Sequence, residues 1–388
     1  MKNLNIKINL LLTLIMINTI IVRSQNYPSF GAEINVTIKD LSFDAMEPFI
    51  SPNGKYLFLN NLNDGVDTKL FYAIKINDST FNFIGELNGT NQSEQPYLDA
   101  VADLDTLNNF YWTSTRDYPT ILENLFHGEF DKGNVVNIGR VYGDFNKNIP
   151  GWLVMVHGIS YDGQFLYYNN ARFNDSCQGI CETEIGIATK TNDSTFTKLS
   201  NSDSILQNIN DTNYIYYAPC ISSDNLELYY TRYPRDSISS STLFEICVAV
   251  RKTPLDTFSM PIVLFSELIS KMIEAPTLTH DKQIIYYHKK TSDSHKIVMR
   301  YRKNPLNIIK NTKFSLSIYP NPTSNIINIK TDKNYHNLKL SFYSLLGKII
   351  MTVNNQKEIN ISSLPVGSYF LKIEIDDEMI MRKIIKLK

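Results

Sequence analysis

Between residues 44 and 303, apolar positions gather in short runs rich in Tyr, Phe, Ile, Leu and Val, each ending at Asn, Asp, Gly, Ser or Pro. Runs of that length and composition predict strands joined by tight turns. The runs recur as a unit. Its instances open with Glu47-Pro-Phe-Ile-Ser-Pro-Asn-Gly, Gln95-Pro-Tyr-Leu-Asp, His157-Gly-Ile-Ser-Tyr-Asp-Gly, Ala218-Pro-Cys-Ile-Ser-Ser-Asp-Asn and Ala275-Pro-Thr-Leu-Thr-His-Asp-Lys, and each leads into an aromatic strand. Anchored on Pro48, Pro96, Gly158, Pro219 and Pro276, the spacings are 48, 62, 61 and 57 residues. Two further strands follow each hairpin of the first four units, as in Lys69 to Ile76 with Phe81 to Leu87. Four strands per unit of this length predict the blade of a β-propeller. The fifth unit offers only Lys296 to Tyr301 after its hairpin, while Glu33 to Leu41 is a spare strand at the start. Pairing first with last closes the ring and removes an exposed edge. Five blades are expected; six, with one hidden in the long second or third unit, is the alternative.

The two ends of the chain have patterns of their own. Lys2 and Lys7 precede a mostly apolar stretch, Leu10 to Val22, which has the length of a signal-peptide core and is too short for a membrane span. Residues 1–24 read as a signal peptide cleaved before Gln25, and no other stretch approaches membrane-spanning length. Residues 25–303 are the propeller and 304–313 a linker. Residues 314–388 alternate β-rich runs with Pro, Gly, Asn and Asp, six strands in all, which predicts a small immunoglobulin-like β-sandwich. The fold class is therefore all-β throughout.

Charge and cysteine content narrow the function classes. The net charge of −1 gives no long-range attraction for nucleic acid. An even number of cysteines in an exported chain points to disulfides. A Cys177–Cys181 loop clip is the expectation, while Cys220 and Cys247 either pair or are simply buried. No Cys/His set stands at metal-site spacing, and no nucleotide, phosphate or hydrolase-elbow motif occurs. Asp99, Asp103 and Asp105 could supply oxygen ligands but lack a calcium-loop pattern. Neither metal nor cofactor is expected.

Two resemblances add to this. Tyr319-Pro320-Asn321-Pro322, then Gly367-Ser-Tyr369 in a Leu-Pro-Val-Gly-Ser-Tyr-Phe strand, and a basic C-terminal strand together resemble the type A sorting domain of the Bacteroidetes type IX secretion system. That resemblance implies passage across both membranes by the type IX machinery, to the cell surface or the medium. It also implies a routing domain that is usually removed on export. The anchor, Asx turn and aromatic strand of the repeat resemble the TolB-type β-propeller repeat, although the second unit lacks the Asp-Gly turn and the third has Gly for Pro. This implies a fold and leaves function open.

Propellers bind and react at the mouth of the central channel. The residues before the anchors include Glu47, Gln95 and His157, with Glu274 nearby, and so converge there. Arg116, Arg172 and Arg232, at or just past the ends of second strands, could add a cationic rim. An exported scaffold that binds protein or glycan at this mouth is the expectation. The alternative is a polysaccharide or peptide hydrolase that uses channel carboxylates such as Glu47 and Glu274, with His157 as a proton shuttle.

Overall fold

The computed structural model describes residues 27–63, 66–92, 97–174, 177, 179–236, 238–303, 316–332, 334–344, 349–376 and 378–388. The signal peptide, Gln95 and the whole linker lie outside the described residues. The chain divides into two compact units that meet at Arg302 and Lys303.

The first unit is a β-propeller. Its described residues form five sheets of four or five strands. The innermost strands are Met46–Ile50, Tyr97–Leu104, Trp152–Ile159, Tyr214–Ile221 and Ile273–Leu278. Each packs against the next, and the last packs against the first, so they ring a central axis. Between the sheets lie continuous apolar layers of Tyr, Phe, Leu and Ile, such as Tyr167, Tyr216, Leu228 and Tyr230 between the third and fourth. Fully buried Phe58, Phe110 and Trp112 pack between the first and second.

A repeated turn fixes the register of each sheet. Ser51, Ser160, Ser222 and Thr279 end the inner strands, and each hydroxyl bonds the carboxylate or amide two residues on: Asn53, Asp162, Asp224 and Asp281. The residue directly after it takes positive φ, and the chain reverses into the second strand. The second sheet makes the same reversal with Asp105, whose Oδ1 accepts the backbone N–H groups of Leu107 and Asn109, while Asn108 takes φ 68°. Sequence reading anchored this unit on Gln95-Pro96. The structure corrects the register: counting back four residues from the turn places Val101 opposite Glu47, with Val156, Ala218 and Ala275 as the other equivalents.

The spare N-terminal strand divides its pairing between two sheets. Ile34 and Asn35 pair antiparallel with Met299 and Val298 of the last sheet. Thr37–Lys39 then runs parallel to Thr80–Asn82 at the edge of the first. A second contact ties the start of the described chain to the fourth and fifth sheets. Glu227 accepts from Tyr27, Tyr229, Lys282 and Arg302, with the Arg302 Nη2 to Glu227 Oε2 distance 2.5 Å. The Arg302 guanidinium also lies over the Tyr27 and Phe30 rings.

The second unit is a β-sandwich. Leu316–Tyr319, Ile326–Thr331 and Glu358–Asn360 make one sheet; Leu338–Tyr343, Ile349–Asn354, Gly367–Ile375 and Glu378–Lys386 make the other. Ile327, Leu340, Phe342, Leu371 and Ile373 fill the space between them. Sequence reading missed Glu358–Asn360, a strand of three residues too short to show a period.

Candidate functional site

A β-bulge in each inner strand sets what lines the channel beside it. In four of them the register shifts around Glu47, Val101, Ala218 and Ala275, and all four residues take positive φ, between 47° and 59°. In the third strand the shift falls at Met155, one residue earlier. Positive φ at non-glycine residues is uncommon and is kept only where the surroundings enforce it. Four of the five equivalent positions are the small apolar residues Val101, Val156, Ala218 and Ala275. The fifth is a carboxylate.

Glu47 Oε2 is buried and makes no hydrogen bond. Burial, reinforced by the nearby negative charge of Glu274, pushes its pKa up to about 7, against the offsetting approach of Asn63 and Asn60. Glu274 behaves oppositely. Burial works against its ionisation, but hydrogen bonds from His288 and Tyr217 outweigh that and hold its pKa below the usual carboxylate range. The Tyr217 hydroxyl donates to Glu274 Oε2 at 2.5 Å, and His288 Nδ1 lies 2.8 Å from Glu274 Oε1. His288 Nε2 is 2.7 Å from Nδ1 of His295, which is partly exposed. Through its two ring nitrogens His288 links the buried carboxylate to His295 and so towards solvent.

Sequence reasoning named Glu47 and Glu274 and missed Tyr217, His288 and His295. A signal was available: Tyr217 and Glu274 occupy the same place in adjacent units, immediately before Ala-Pro, and His288 lies directly across from Glu274.

Below Glu47 the channel narrows to a throat walled by Pro48, Val101, Val156, Ala218, Ala275 and their neighbours, with a void of about 40 Å³. His157 lines this void, one residue deeper than the bulge position. It is 3% exposed, neither ring nitrogen finds a partner in good geometry, and burial drives its pKa down to about 3. It is therefore a neutral imidazole at physiological pH, which does not suit the proton-shuttle role expected for it.

The three arginines expected at the rim are held by partners within the propeller. Arg116 pairs with buried Asp99 at 2.7 Å and bonds Ser114 and the Thr90 carbonyl. Arg172 meets Glu182 at 3.0 Å, and Arg232 meets Glu245 at 2.7 Å across neighbouring strands. Asp103 accepts backbone N–H groups from Leu104 and Ile159, and Asp105 caps its turn, so the three aspartates serve separate purposes. Among the described residues no cluster suits a metal ion. Cys177 and Cys181 form a disulfide, with Cα atoms 5.6 Å apart. Cys220 and Cys247 are free thiols, Cys247 buried and Cys220 partly so.

In the C-terminal unit, Tyr319-Pro-Asn-Pro322 is fastened to the last strand. Asn321 Nδ2 donates to the Lys383 carbonyl at 2.8 Å, and its Oδ1 accepts the Ile385 N–H at 2.9 Å. Thr323 continues the contact with Ile385 and Leu387. Tyr369 donates its hydroxyl to the Pro365 carbonyl at 2.6 Å, and Gly367 opens the same strand. Residues 317–387 match the family described as the secretion system C-terminal sorting domain. The protein is exported by type IX secretion. Its destination is the cell surface or the medium, and no helix among the described residues is long and apolar enough to cross a membrane. Replacing Asn321 by Ala removes both side-chain bonds of the sorting domain's first loop. The expected cost is about 1–3 kcal/mol in that domain, to be read from hydrogen exchange of the Lys383 to Leu387 amides.

Comparison with curated proteins finds no match. Among solved structures, the chain is similar to a family 117 glycoside hydrolase from Zobellia galactanivorans at 8% identity, TM-score 0.44, covering 73% of this chain and 93% of that one. It is also similar to an endo-arabinase from Bacteroides thetaiotaomicron at 13% identity, TM-score 0.41, covering 69% and 96%. An α-L-arabinofuranosidase from Lactobacillus brevis is similar at 12% identity, TM-score 0.42, covering 69% and 92%.

Proposed function

We propose that the propeller is an exported binding module whose ligand docks at the channel mouth around Glu47. The observation that carries this reading is the sealed, unpartnered Glu47 Oε2 in a ring whose four other members are apolar. A buried polar atom without a partner is rare enough to need a reason, and an incoming donor supplies one. The void bears on the hydrolase alternative. Small-molecule sites usually enclose about 300–1,000 Å³, whereas this throat encloses about 40 Å³. A sugar ring flanked by two carboxylates needs far more room. Glu274 is also already committed to Tyr217 and His288.

The test is a glycan and peptide screen on the mature chain that follows the propeller's melting temperature. A ligand at about 100 times its dissociation constant stabilises by about 2.7 kcal/mol, and the expected result is a stabilising ligand recovered unchanged. Consumption of the stabilising compound would establish the hydrolase instead.

A further inference from the structure

Resting on that reading, we propose that the channel mouth captures a primary ammonium group, presented by a lysine side chain or a free N-terminus of a protein partner. The shape argues first. A water-sized group needs about 10–15 Å³ of such space, so the void of about 40 Å³ accepts roughly three heavy atoms in file. That suits the tip of an alkylammonium and excludes a sugar ring, an indole or a branched group entering whole. The walls argue second. Val101, Val156, Ala218 and Ala275 offer apolar contact for methylene groups, while Glu47 supplies a carboxylate oxygen that lacks a donor.

His157, a neutral residue of the same wall, has a ring whose nitrogens lie near the Tyr111 backbone. An ammonium carries three donors and no acceptor, so it matches the open Glu47 oxygen. Charge completes the fit. Ionised Glu274 stands beside Glu47, while Asp44 and Lys290, of opposite charge, both lie near His295. A bound cation relieves the repulsion between the two glutamates.

Cation binding favours ionised Glu47. The groups around it are Glu274, Tyr217 and His288 from neighbouring strands, Asn60 and Asn63 from its own sheet, and His295 beyond His288. Protonation of His295 adds repulsion, so it acts in the same direction as protonation of Glu47. Affinity should therefore rise by about tenfold between pH 6 and pH 8.

The experiment is calorimetric titration of the mature full-length chain with an end-blocked Gly-Lys-Gly peptide. Controls are the same peptide acetylated on its lysine, and a lysine-free peptide with a free N-terminus. Binding of the lysine peptide, with at least a tenfold loss on acetylation and on Glu47→Gln, is the expected result. Preference for the lysine-free peptide would assign the ammonium to a chain terminus. Val156→Leu, which fills the throat without touching Glu47, should weaken binding similarly. The melting temperature of each variant shows whether it is folded. Equal binding of the blocked and unblocked peptides, or unchanged affinity in folded Glu47→Gln, overturns the ammonium inference and leaves the binding reading standing. So does stabilisation by a glycan alone. Silence across both this titration and the wider screen overturns both.

Discussion

Replacing Arg302 by alanine is expected to lower the stability of the propeller by about 1.5–3 kcal/mol, because a largely buried carboxylate loses its guanidinium and keeps only Lys282, Tyr27 and Tyr229. Glu227 is that carboxylate. Burial alone would raise its pKa, but Arg302, Tyr229 and Lys282 bring it down to about 2 from the ordinary 4.5. An acid with a depressed folded pKa contributes stability that is present above pH 4.5 and lost as pH falls towards 2. The deficit of the variant should therefore be full at pH 7 and shrink below pH 4.5. Urea unfolding followed by tryptophan fluorescence reads this cleanly, since both tryptophans, Trp112 and Trp152, lie in the propeller. An unchanged urea midpoint at pH 7 would mean that the Ile34–Asn35 strand closes the ring without the clamp.

Glu47→Gln is expected to do the reverse and stabilise the fold. The carboxyl of Glu47 has its pKa raised from 4.5 to about 7 by burial and by Glu274. The native state thus keeps a proton that the unfolded chain releases, and stability declines as pH rises from 4.5 through 7. At 1.36 kcal/mol per pKa unit the penalty reaches up to about 3 kcal/mol at pH 8. Glutamine keeps the shape and removes the charge, so the variant should gain most of that at pH 8 and little at pH 5. Parallel urea midpoints at the two pH values check it; a variant less stable at pH 8 would show that the carboxylate is satisfied there. A group that costs stability at neutral pH and sits at the mouth of a channel is what a stability–function trade-off produces.

Much of the architecture was legible beforehand because strand and turn signals are local. Asn53-Gly54 and Asp162-Gly163 mark tight reversals by their own chemistry, and Glu33 to Leu41 stood out as a strand without a neighbour. The second unit was misread for an equally local reason. Gln95-Pro96 mimics the anchor of the other units, whereas the residues at the bulge are Val101 and Ala102, which carry no marker. The site was half legible. Repeat alignment put Glu47, His157 and Glu274 near the channel and the three arginines at its rim, but it could not show what surrounds them. Their environments, a sealed wall and three internal ion pairs, depend on neighbouring strands and sheets.

By itself the sequence determined the all-β class, the repeat, the closing strand and the sorting tail, since each is written in the order and spacing of residues along one chain. Only the tertiary structure decided which side chains share the channel mouth, because residues 47, 157, 217, 274 and 288 meet through the ring closing. It also decided their charge states. Burial and the charge of Glu274 raise the pKa of Glu47, hydrogen bonds from His288 and Tyr217 lower that of Glu274, and none of these effects exists until the sheets pack.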